Sequence, residues 1–336
     1  MLFEKLKIKD IELKNRIVMA PMCMYSAEGG YVNDFHIIHY ATRAMGQIGL
    51  VIIEATAVLE NGQITKNDLG IWDDLHVKGL NWIVKRVKYF DAKVGIQLAH
   101  AGRKAKDTNN TIAPSAVAFS DYKLPREMTI KEIKDVINAF RLGAKRAFEA
   151  GFDFIEIHAA HGYLINQFLS PLANKRTDEY GGTREKRTKF LIEILEEVRK
   201  EWPAEKPLGI RVSATEYDSG GINGDEIVKI INLIPQGLID IINVSTGGLV
   251  YSIPPTYPGY QMPYAKKIKK ETNYFVMGGG LIKDGVFAND LIKAGESDLL
   301  YFGRLALREP YFPLRFAIQL KYDLPYLKQY ERAKDI

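Results

Sequence analysis

Eight short, apolar, β-rich runs recur along this 336-residue chain, and segments with helical periodicity separate them. Strands that alternate with helices favour right-handed βαβ crossovers and a parallel sheet. Eight such units indicate a closed (β/α)8 barrel, which forms one domain of roughly 250 residues or more. We therefore predict an α/β TIM barrel with a single domain over residues 1–336. The runs are Arg16–Ala20, Leu50–Glu54, Val94–Leu98, Phe154–His158, Leu208–Val212, Ile239–Val244, Tyr274–Met277 and Leu299–Phe302.

The segments between and around these runs predict further elements. Thr183 is a suitable N-cap for a helix whose apolar residues lie on one face. Residues 1–14 predict a hairpin that closes the bottom of the barrel, with Lys9 and Asp10 at its turn. Residues 100–128 follow the third strand with little helical pattern, and long loops of this kind are usually functional or disordered. We interpret them as a capping loop over the catalytic face.

Composition excludes several classes of protein. The formal charge is +5, but the basic residues are dispersed, which is typical of a solvated surface rather than a nucleic-acid site. Cys23 is the only cysteine, so the chain forms no internal disulfide and no Cys-ligated cluster. The charged N-terminus lacks a signal core, and no apolar run is long enough to span a membrane. We expect a cytoplasmic protein without nucleic-acid or membrane partners.

In TIM barrels the active site lies at the carboxyl ends of the strands. Glycines and an arginine follow the last two strands, where this fold usually binds phosphate. Gly278, Gly279, Gly303 and Arg304 are our candidates for that site. The alternative is that these glycines only make tight turns, and the phosphate could belong to a substrate or to a cofactor.

The fourth strand ends in the most distinctive cluster, His158, His161 and Tyr163. Two neutral imidazoles can donate to one carbonyl oxygen and stabilise an enolate, and a neighbouring tyrosine can donate a proton. A metal site is a poorer interpretation because further ligands are missing, and we expect Glu156 to point elsewhere. Two buried, hydrogen-bonded structural histidines remain the plain alternative.

Three more side chains should reach the mouth of the barrel. Arg211 on the fifth strand needs an anion or a negatively charged ring, unless a neighbouring carboxylate pairs with it. Gln97 could hydrogen-bond a flat heterocycle on two sides, or simply satisfy the backbone. Cys23 could be reactive, although an inert buried thiol is the commoner case.

Three sequence blocks resemble signatures of the Old Yellow Enzyme family. The blocks are residues 13–22 (LKNRIVMAPM), 158–171 (HAAHGYLINQFLSP) and 174–187 (NKRTDEYGGTREKR). The resemblance covers essentially the whole chain in order. Cys23, Tyr25 and the His158–His161 pair are similar to the thermophilic-like branch, the bacterial NADPH dehydrogenases or ene-reductases.

This resemblance implies FMN, held tightly without a covalent bond, and NADPH as the reductant. It assigns catalytic roles to Tyr163, His158, His161 and Cys23, with Cys23 tuning the redox potential. It assigns the substrate carbonyl to Tyr25, His158 and His161, together with Arg332. The residues that it places around FMN and its phosphate are Ala20, Pro21, Met22, Cys23, Ala55, Gln97, Arg211, Gly278, Gly279, Gly303 and Arg304.

The implied reaction is a two-step reduction of the C=C bond in α,β-unsaturated carbonyl or nitro compounds. The C-terminal tail, residues 320–336, resembles a segment that reaches a neighbouring subunit's site, so we expect a homodimer or homotetramer. A frayed terminus is the alternative. Other functions for such a chain are a dihydrouridine synthase, a non-redox phosphate-binding barrel such as an aldolase, or a flavin-storage protein. No metal is expected.

Overall fold

The protein is a closed barrel of eight parallel strands in the computed structural model, which describes residues 1–334. The barrel strands follow one another around the ring in chain order, and the last of them closes it by pairing with the first. This architecture confirms the predicted (β/α)8 fold, and all eight predicted runs are barrel strands. Their bounds are β3 Ile17–Met19, β4 Leu50–Ala57, β5 Lys93–Ala99, β8 Phe154–Ala159, β9 Leu208–Ser213, β10 Ile241–Ser245, β11 Phe275–Gly278 and β12 Leu299–Phe302.

Helices surround the strands. Thr183 caps α5 as predicted, with its side chain accepting the Lys186 N–H. Within the described residues, no helix is both long and apolar enough to cross a bilayer. The helices are α1 Asp34–Met45, α2 His76–Tyr89, α3 Ile130–Ala150, α4 Leu164–Leu169, α5 Arg184–Glu201, α6 Gly224–Asn232, α7 Met262–Glu271, α8 Gly285–Lys293, α9 Arg304–Arg308 and α10 Phe312–Gln319, with 3-10 turns at Glu60–Gly62, Gly102–Lys104 and Lys328–Ala333.

The N-terminal hairpin closes one end of the barrel. Its strands β1 (Leu6–Ile8) and β2 (Ile11–Leu13) pair antiparallel around Lys9, whose φ of 52° lies in the left-handed region. Apolar side chains of both strands join the cluster that fills the barrel interior. The Asp10 N–H donates to the Glu205 carbonyl just before β9, which places the hairpin at the amino ends of the barrel strands.

Alternation along each strand separates two cores. Outward residues such as Ile155 and Ile157 join the large cluster beneath the helices, whereas Phe154 joins the interior cluster. The period of two therefore turns Glu156 and His158 inward as well. A bulge between Ile53 and Ala55 breaks this alternation in β4. Strands consequently place an apolar plug at the bottom of the barrel and polar groups toward the mouth.

The predicted capping loop, residues 100–128, contains secondary structure of its own. It holds the turn Gly102–Lys104 and the strands β6 (Ile112–Ala113) and β7 (Arg126–Glu127), which pair in parallel. At its start, Arg103 donates to the Leu249 carbonyl, which follows β10. The segment therefore begins over the carboxyl ends of the strands, and its role as a cap stays a prediction.

Asn15, just before β3, connects the segments that lead into β3 and β4. Its amide donates to the Gln47 carbonyl at 2.7 Å and its oxygen accepts the Ile17 N–H at 3.0 Å. The side chain is almost fully buried. Gly49 is required here because a Cβ would lie 2.6 Å from the Asn15 carbonyl oxygen.

We expect Asn15→Ala to lower the free energy of unfolding by about 2 to 3 kcal/mol, because it leaves a buried donor and a buried acceptor unpaired. A urea titration measures this change. Asn273→Ala, at an exposed position, is the matched control and should change stability by less than about 0.5 kcal/mol. Equal midpoints for the two variants would contradict the structural role of Asn15.

Candidate active site

A buried carboxylate, Glu156, organises the middle of the barrel. Its two oxygens accept hydrogen bonds from the Gln97 and Asn243 amides, both at 2.7 Å. Burial raises the pKa of Glu156, and the nearby Arg211 charge and the two amides oppose that rise. The amide donor of Gln97 is therefore already engaged by a barrel partner.

The expectation that Glu156 points away from the site is wrong. It shares a strand face with His158, because side chains two residues apart on a strand lie on the same side. The register of the barrel sets His158 opposite Arg211, which itself lies opposite Asn243. The same period-two rule that placed Arg211 inward could have identified Glu156.

The two histidines lie side by side at the mouth. Their rings are 5.2 Å apart and nearly perpendicular. Burial, and next the Arg211 charge, hold the pKa of each well below its usual range, so both imidazoles are neutral near pH 7. Nδ1 of His158 accepts the Ala160 N–H at 3.3 Å, which leaves its Nε2 as the N–H donor.

His161 is held by its backbone as well as by its ring. Its φ of 59° is unusual for a residue with a side chain. Its N–H donates to Ser213 Oγ at 2.9 Å, and its carbonyl accepts Lys104 Nζ at 2.8 Å. Nε2 lies 2.7 Å from Ser245 Oγ. A carbonyl ligand would therefore meet Nδ1 or take the place of the serine hydroxyl.

Tyr163 and Cys23 meet at the edge of the same space. Both pack against a small buried cluster formed by Ile64, Ala101 and Ala105. The Tyr163 ring lies 4.8 Å from the His158 ring, and burial raises its pKa well above the usual value. The phenol consequently stays protonated near neutral pH.

Cys23 is a protonated thiol in this environment. Burial raises its pKa, and the Asp68 and Glu54 carboxyls raise it further. The Tyr25 hydroxyl hydrogen-bonds the thiol and opposes that rise. The pKa of Tyr25 is also raised by burial. Neither group is an anion near neutral pH, which disfavours Cys23 as a nucleophile.

A cleft of about 270 Å³ opens beside these groups and carries only positive charge. Among the described residues, four basic side chains and no carboxylate line this cleft. Gly303 and Arg304 lie there as predicted. The residues that line the cleft are Arg211, Ser245, Tyr260, Gln261, Gly280, Leu281, Ile282, Lys283, Tyr301, Phe302, Gly303, Arg304, Leu305 and Arg308.

Two of the predicted glycines do not line this cleft. A Cβ on Gly278 would lie 2.8 Å from Met262 Sδ, and one on Gly279 would lie 2.6 Å from the Tyr301 ring. Both glycines allow close packing behind the cleft, as in the tight-turn alternative. We therefore move the candidate phosphate contact in this loop to Gly280 and the residues after it.

Arg211 projects into the cleft without full compensation. Its Nε is buried and finds no hydrogen-bond partner within residues 1–334. Its Nη1 lies 3.5 Å from the Pro21 carbonyl, and its guanidinium lies 5.2 Å from the Tyr301 ring centroid. A buried guanidinium with an unused donor is suited to an anionic or electron-rich ligand.

The other candidates are distributed around this space. Ala20 is buried in the interior cluster, and Met22 lies close to Gly303. Ala55 pairs with Gln97 across β4 and β5. Arg332 is exposed on the last 3-10 turn, away from the barrel interior.

These residues fit FMN. The cationic cleft with its two glycine-containing loops suits a phosphate, because backbone N–H groups and basic side chains bind such anions. The unsatisfied Arg211 Nε suits the electron-rich ring of a flavin. The barrel mouth beside Cys23, Tyr163 and the two histidines is where a ring attached to that phosphate would lie.

Comparison with known proteins identifies the family of this chain. Residues 1–323 match the NADH:flavin oxidoreductase / NADH oxidase family. The NADPH dehydrogenase of Clostridium acetobutylicum is 50% identical over 336 residues, with 99% of both chains covered. That of Bacillus cytotoxicus is 49% identical over 335 residues, covering 99% of this chain and 96% of the relative.

A solved structure gives the same result. The old yellow enzyme homologue from Zymomonas mobilis superposes with a TM-score of 0.82 at 25% identity, covering 99% of this chain and 96% of the other. The chain therefore belongs to the NADH:flavin oxidoreductase / NADH oxidase family, as an oxidoreductase of the Old Yellow Enzyme type.

Proposed function

We propose that this protein is an NADPH-dependent ene-reductase that reduces the C=C bond of α,β-unsaturated carbonyl or nitro compounds. The observation that carries this proposal is the pair of neutral imidazoles beside a protonated tyrosine at the mouth of the barrel. Relatives named NADPH dehydrogenases, about 50% identical over nearly the whole chain, support the choice of reductant.

The histidines polarise the substrate. When FMN is bound, the chemistry that it supplies is hydride transfer from NADPH to the β-carbon of the acceptor. His158 Nε2 and one ring nitrogen of His161 donate to the substrate oxygen and stabilise the negative charge that develops on it. Neutral donors suit this role because preorganised hydrogen bonds strengthen as that charge forms.

Tyr163 supplies the proton. Its raised pKa keeps the hydroxyl protonated until the α-carbon becomes basic, and the phenol can then donate to that carbon. Tyr25 lies beside Cys23 and would also contact the substrate. The Cys23 thiol, held neutral by burial, would act on the flavin through its dipole.

One site would serve both half-reactions, so that NADP⁺ leaves before the alkene binds. Arg211, Gly303 and Arg304 would hold FMN non-covalently, with Lys283 beside the phosphate. We also propose a homodimer or homotetramer in which Arg332 reaches a neighbouring subunit's site. The tail 320–336 that would carry this contact includes two residues, 335 and 336, that lie outside the described part of the chain.

The first experiment separates the two half-reactions. We expect the FMN-loaded protein to be reduced by NADPH without oxygen and reoxidised by cyclohexenone, followed at the flavin absorbance. His158→Ala with His161→Ala should slow reoxidation by cyclohexenone at least about 100-fold, the usual effect of losing one oxyanion donor. Reoxidation by ferricyanide, which needs no oxyanion donor, should stay within about twofold.

His76→Ala is the matched control, because it removes a buried histidine from α2 outside the site. A protein that binds no flavin would overturn the proposal. An unchanged rate with cyclohexenone in the double variant would remove the histidines from the oxyanion role while leaving flavin binding in place.

We expect Tyr163→Phe to slow reoxidation by cyclohexenone about 100-fold or more, since general-acid catalysis contributes on that scale. Reduction by NADPH transfers a hydride and should change much less. Stopped-flow measurement of both steps on one preparation gives the comparison. The reverse ordering would exclude Tyr163 as the proton donor.

The role of Arg332 predicts weaker substrate binding after removal of the tail. A chain ending at Lys328 should raise the dissociation constant of a carbonyl ligand roughly fivefold, equivalent to about 1 kcal/mol. Arg332→Gln in the full chain is the milder variant, and sedimentation reports whether assembly survives. Equal affinity in the truncated and full proteins would refute the role.

A further inference from the structure

Asp68 is a buried carboxyl behind the proposed active site. It lies in the loop after β4 and is 2% exposed. Oδ2 accepts the Ile64 N–H at 2.7 Å, and Oδ1 accepts the Thr65 hydroxyl at 3.2 Å. Both donors are neutral, so neither offsets a full charge, and each carboxylate oxygen can accept a further bond.

A small cavity connects Asp68 with Tyr163. Its volume is about 10 Å³, which matches the space that one water molecule needs. Asp68 and Tyr163 are the two polar side chains of this lining. The complete lining is Ala55, Ala57, Gly62, Ile64, Asp68, Ala99, Ala101 and Tyr163. A water here would have the phenol on one side and the carboxyl on the other.

We propose that Asp68 returns a proton to Tyr163 through one water in this cavity after each turnover. This proposal rests on the proposed function of Tyr163 as the proton donor. The Tyr163 O–H bond breaks as the substrate α-carbon gains its proton. The resulting phenolate takes a proton from the water, the water takes one from the Asp68 carboxyl, and the Asp68 carboxylate is reprotonated from solvent. The relay consumes one solvent proton for each alkene reduced.

The acidities of the two groups favour transfer in this direction. Burial raises the pKa of Asp68 to about 6, within reach of protonation near neutral pH. The pKa of Tyr163 lies well above its usual value, so its phenolate is much the stronger base. Burial is the largest cause in both cases. The titratable groups that face Asp68 electrostatically are Cys23, Tyr25, Glu54, Asp107 and Tyr163.

A hydrogen-bonded neighbour links the far side of Asp68 to an outer cleft. Thr65 donates to Oδ1 and also lines an outward-facing cleft of about 260 Å³. The other residues of that cleft are all polar: Glu60, Asn61, Gln63, Lys66, Asp107 and Thr108. The carboxyl therefore lies between a polar, outward-facing cleft and the small cavity, as a relay group must.

The test uses the FMN-loaded protein with NADPH and cyclohexenone in excess. Asp68→Asn keeps an oxygen acceptor at this position but removes the titratable proton. We expect one product per active site at the normal rate, followed by steady-state turnover at least about tenfold slower. The phenolate ultraviolet band should accumulate during the slow phase and be absent when Tyr163→Phe is added.

The pH dependence gives a second readout. In the parent protein, the protonated fraction of Asp68 falls tenfold for each pH unit above about 6. Reprotonation of Tyr163 should slow accordingly as pH rises through that range, and this dependence should vanish in Asp68→Asn.

Two further variants exclude a merely structural effect. Ala57→Val fills the cavity from β4 without touching the carboxyl, and it should produce the same burst. Asp153→Asn is the matched control, because Asp153 is another buried carboxyl that accepts a backbone N–H, but at the amino end of the barrel. It should show no burst, whatever its thermal stability.

The outcomes distinguish the relay from the proposed function. A normal steady state in Asp68→Asn, with Tyr163→Phe still slow in its first turnover, would overturn the relay alone. An unimpaired Tyr163→Phe would overturn the donor role of Tyr163 and the relay with it. A burst in Asp153→Asn equal to that in Asp68→Asn would also overturn the relay, because a general loss of stability would then explain both.

Discussion

Burial of a carboxyl at the centre of the barrel constrains the rest of the site. Glu156 has no exposure, and an unpaired charge at such a position would cost several kcal/mol or more, on the order of the penalties seen for buried ions. Gln97 and Asn243 meet this cost with two short hydrogen bonds. Both amides are thereby fixed in position. His158 and Arg211 lie next to these groups, because the register of the barrel sets His158 opposite Arg211 and Arg211 opposite Asn243.

Arg211 links Glu156 electrostatically to the two histidines at the mouth of the barrel. Its positive charge stabilises the ionised form of Glu156 below and lowers the pKa of both histidines above. One buried guanidinium therefore does two things: it partly balances a carboxyl, and it adds to burial, the larger cause, in keeping two imidazoles neutral. The remaining unsatisfied Nε points to a third partner, which a flavin would provide. Replacing this arginine by a neutral residue would therefore affect Glu156, the two histidines and the third partner together.

Periodicity in the sequence was sufficient to predict the barrel and the inward direction of Arg211 and His158. It gives no signal where contacts between distant segments decide the outcome. Glu54 lies in the bulge of β4, and its carboxylate accepts a hydrogen bond from the hydroxyl of Tyr40 in α1. No local sequence pattern indicates this contact. Lys104 likewise reaches the His161 carbonyl only because the loop after β5 folds over the loop after β8.

The two glycine-containing loops show the same limit of sequence-based prediction, here for single residues. Composition predicted an anion site at two loops, because glycine allows close approach of the backbone, and residues of both loops line the cationic cleft. Which glycine faces the ligand depends on how the loop leaves its strand. Gly278 packs closely against Met262, and Gly279 packs closely against Tyr301. The cleft begins at Gly280. A shift of one or two residues therefore decides whether a glycine packs behind the cleft or lines it.

The titratable groups around the mouth share one electrostatic property, which is that burial opposes their charged forms. It lowers the pKa values of His158 and His161 and raises those of Cys23, Tyr25 and Tyr163. Charge that develops on a substrate would therefore be met by neutral donors and by Arg211. A site of this kind can stabilise an enolate through neutral hydrogen-bond donors. None of these five groups, however, readily releases and regains a proton near neutral pH. Asp68 is also buried, but burial raises its pKa only to about 6, so its acidity suits that task.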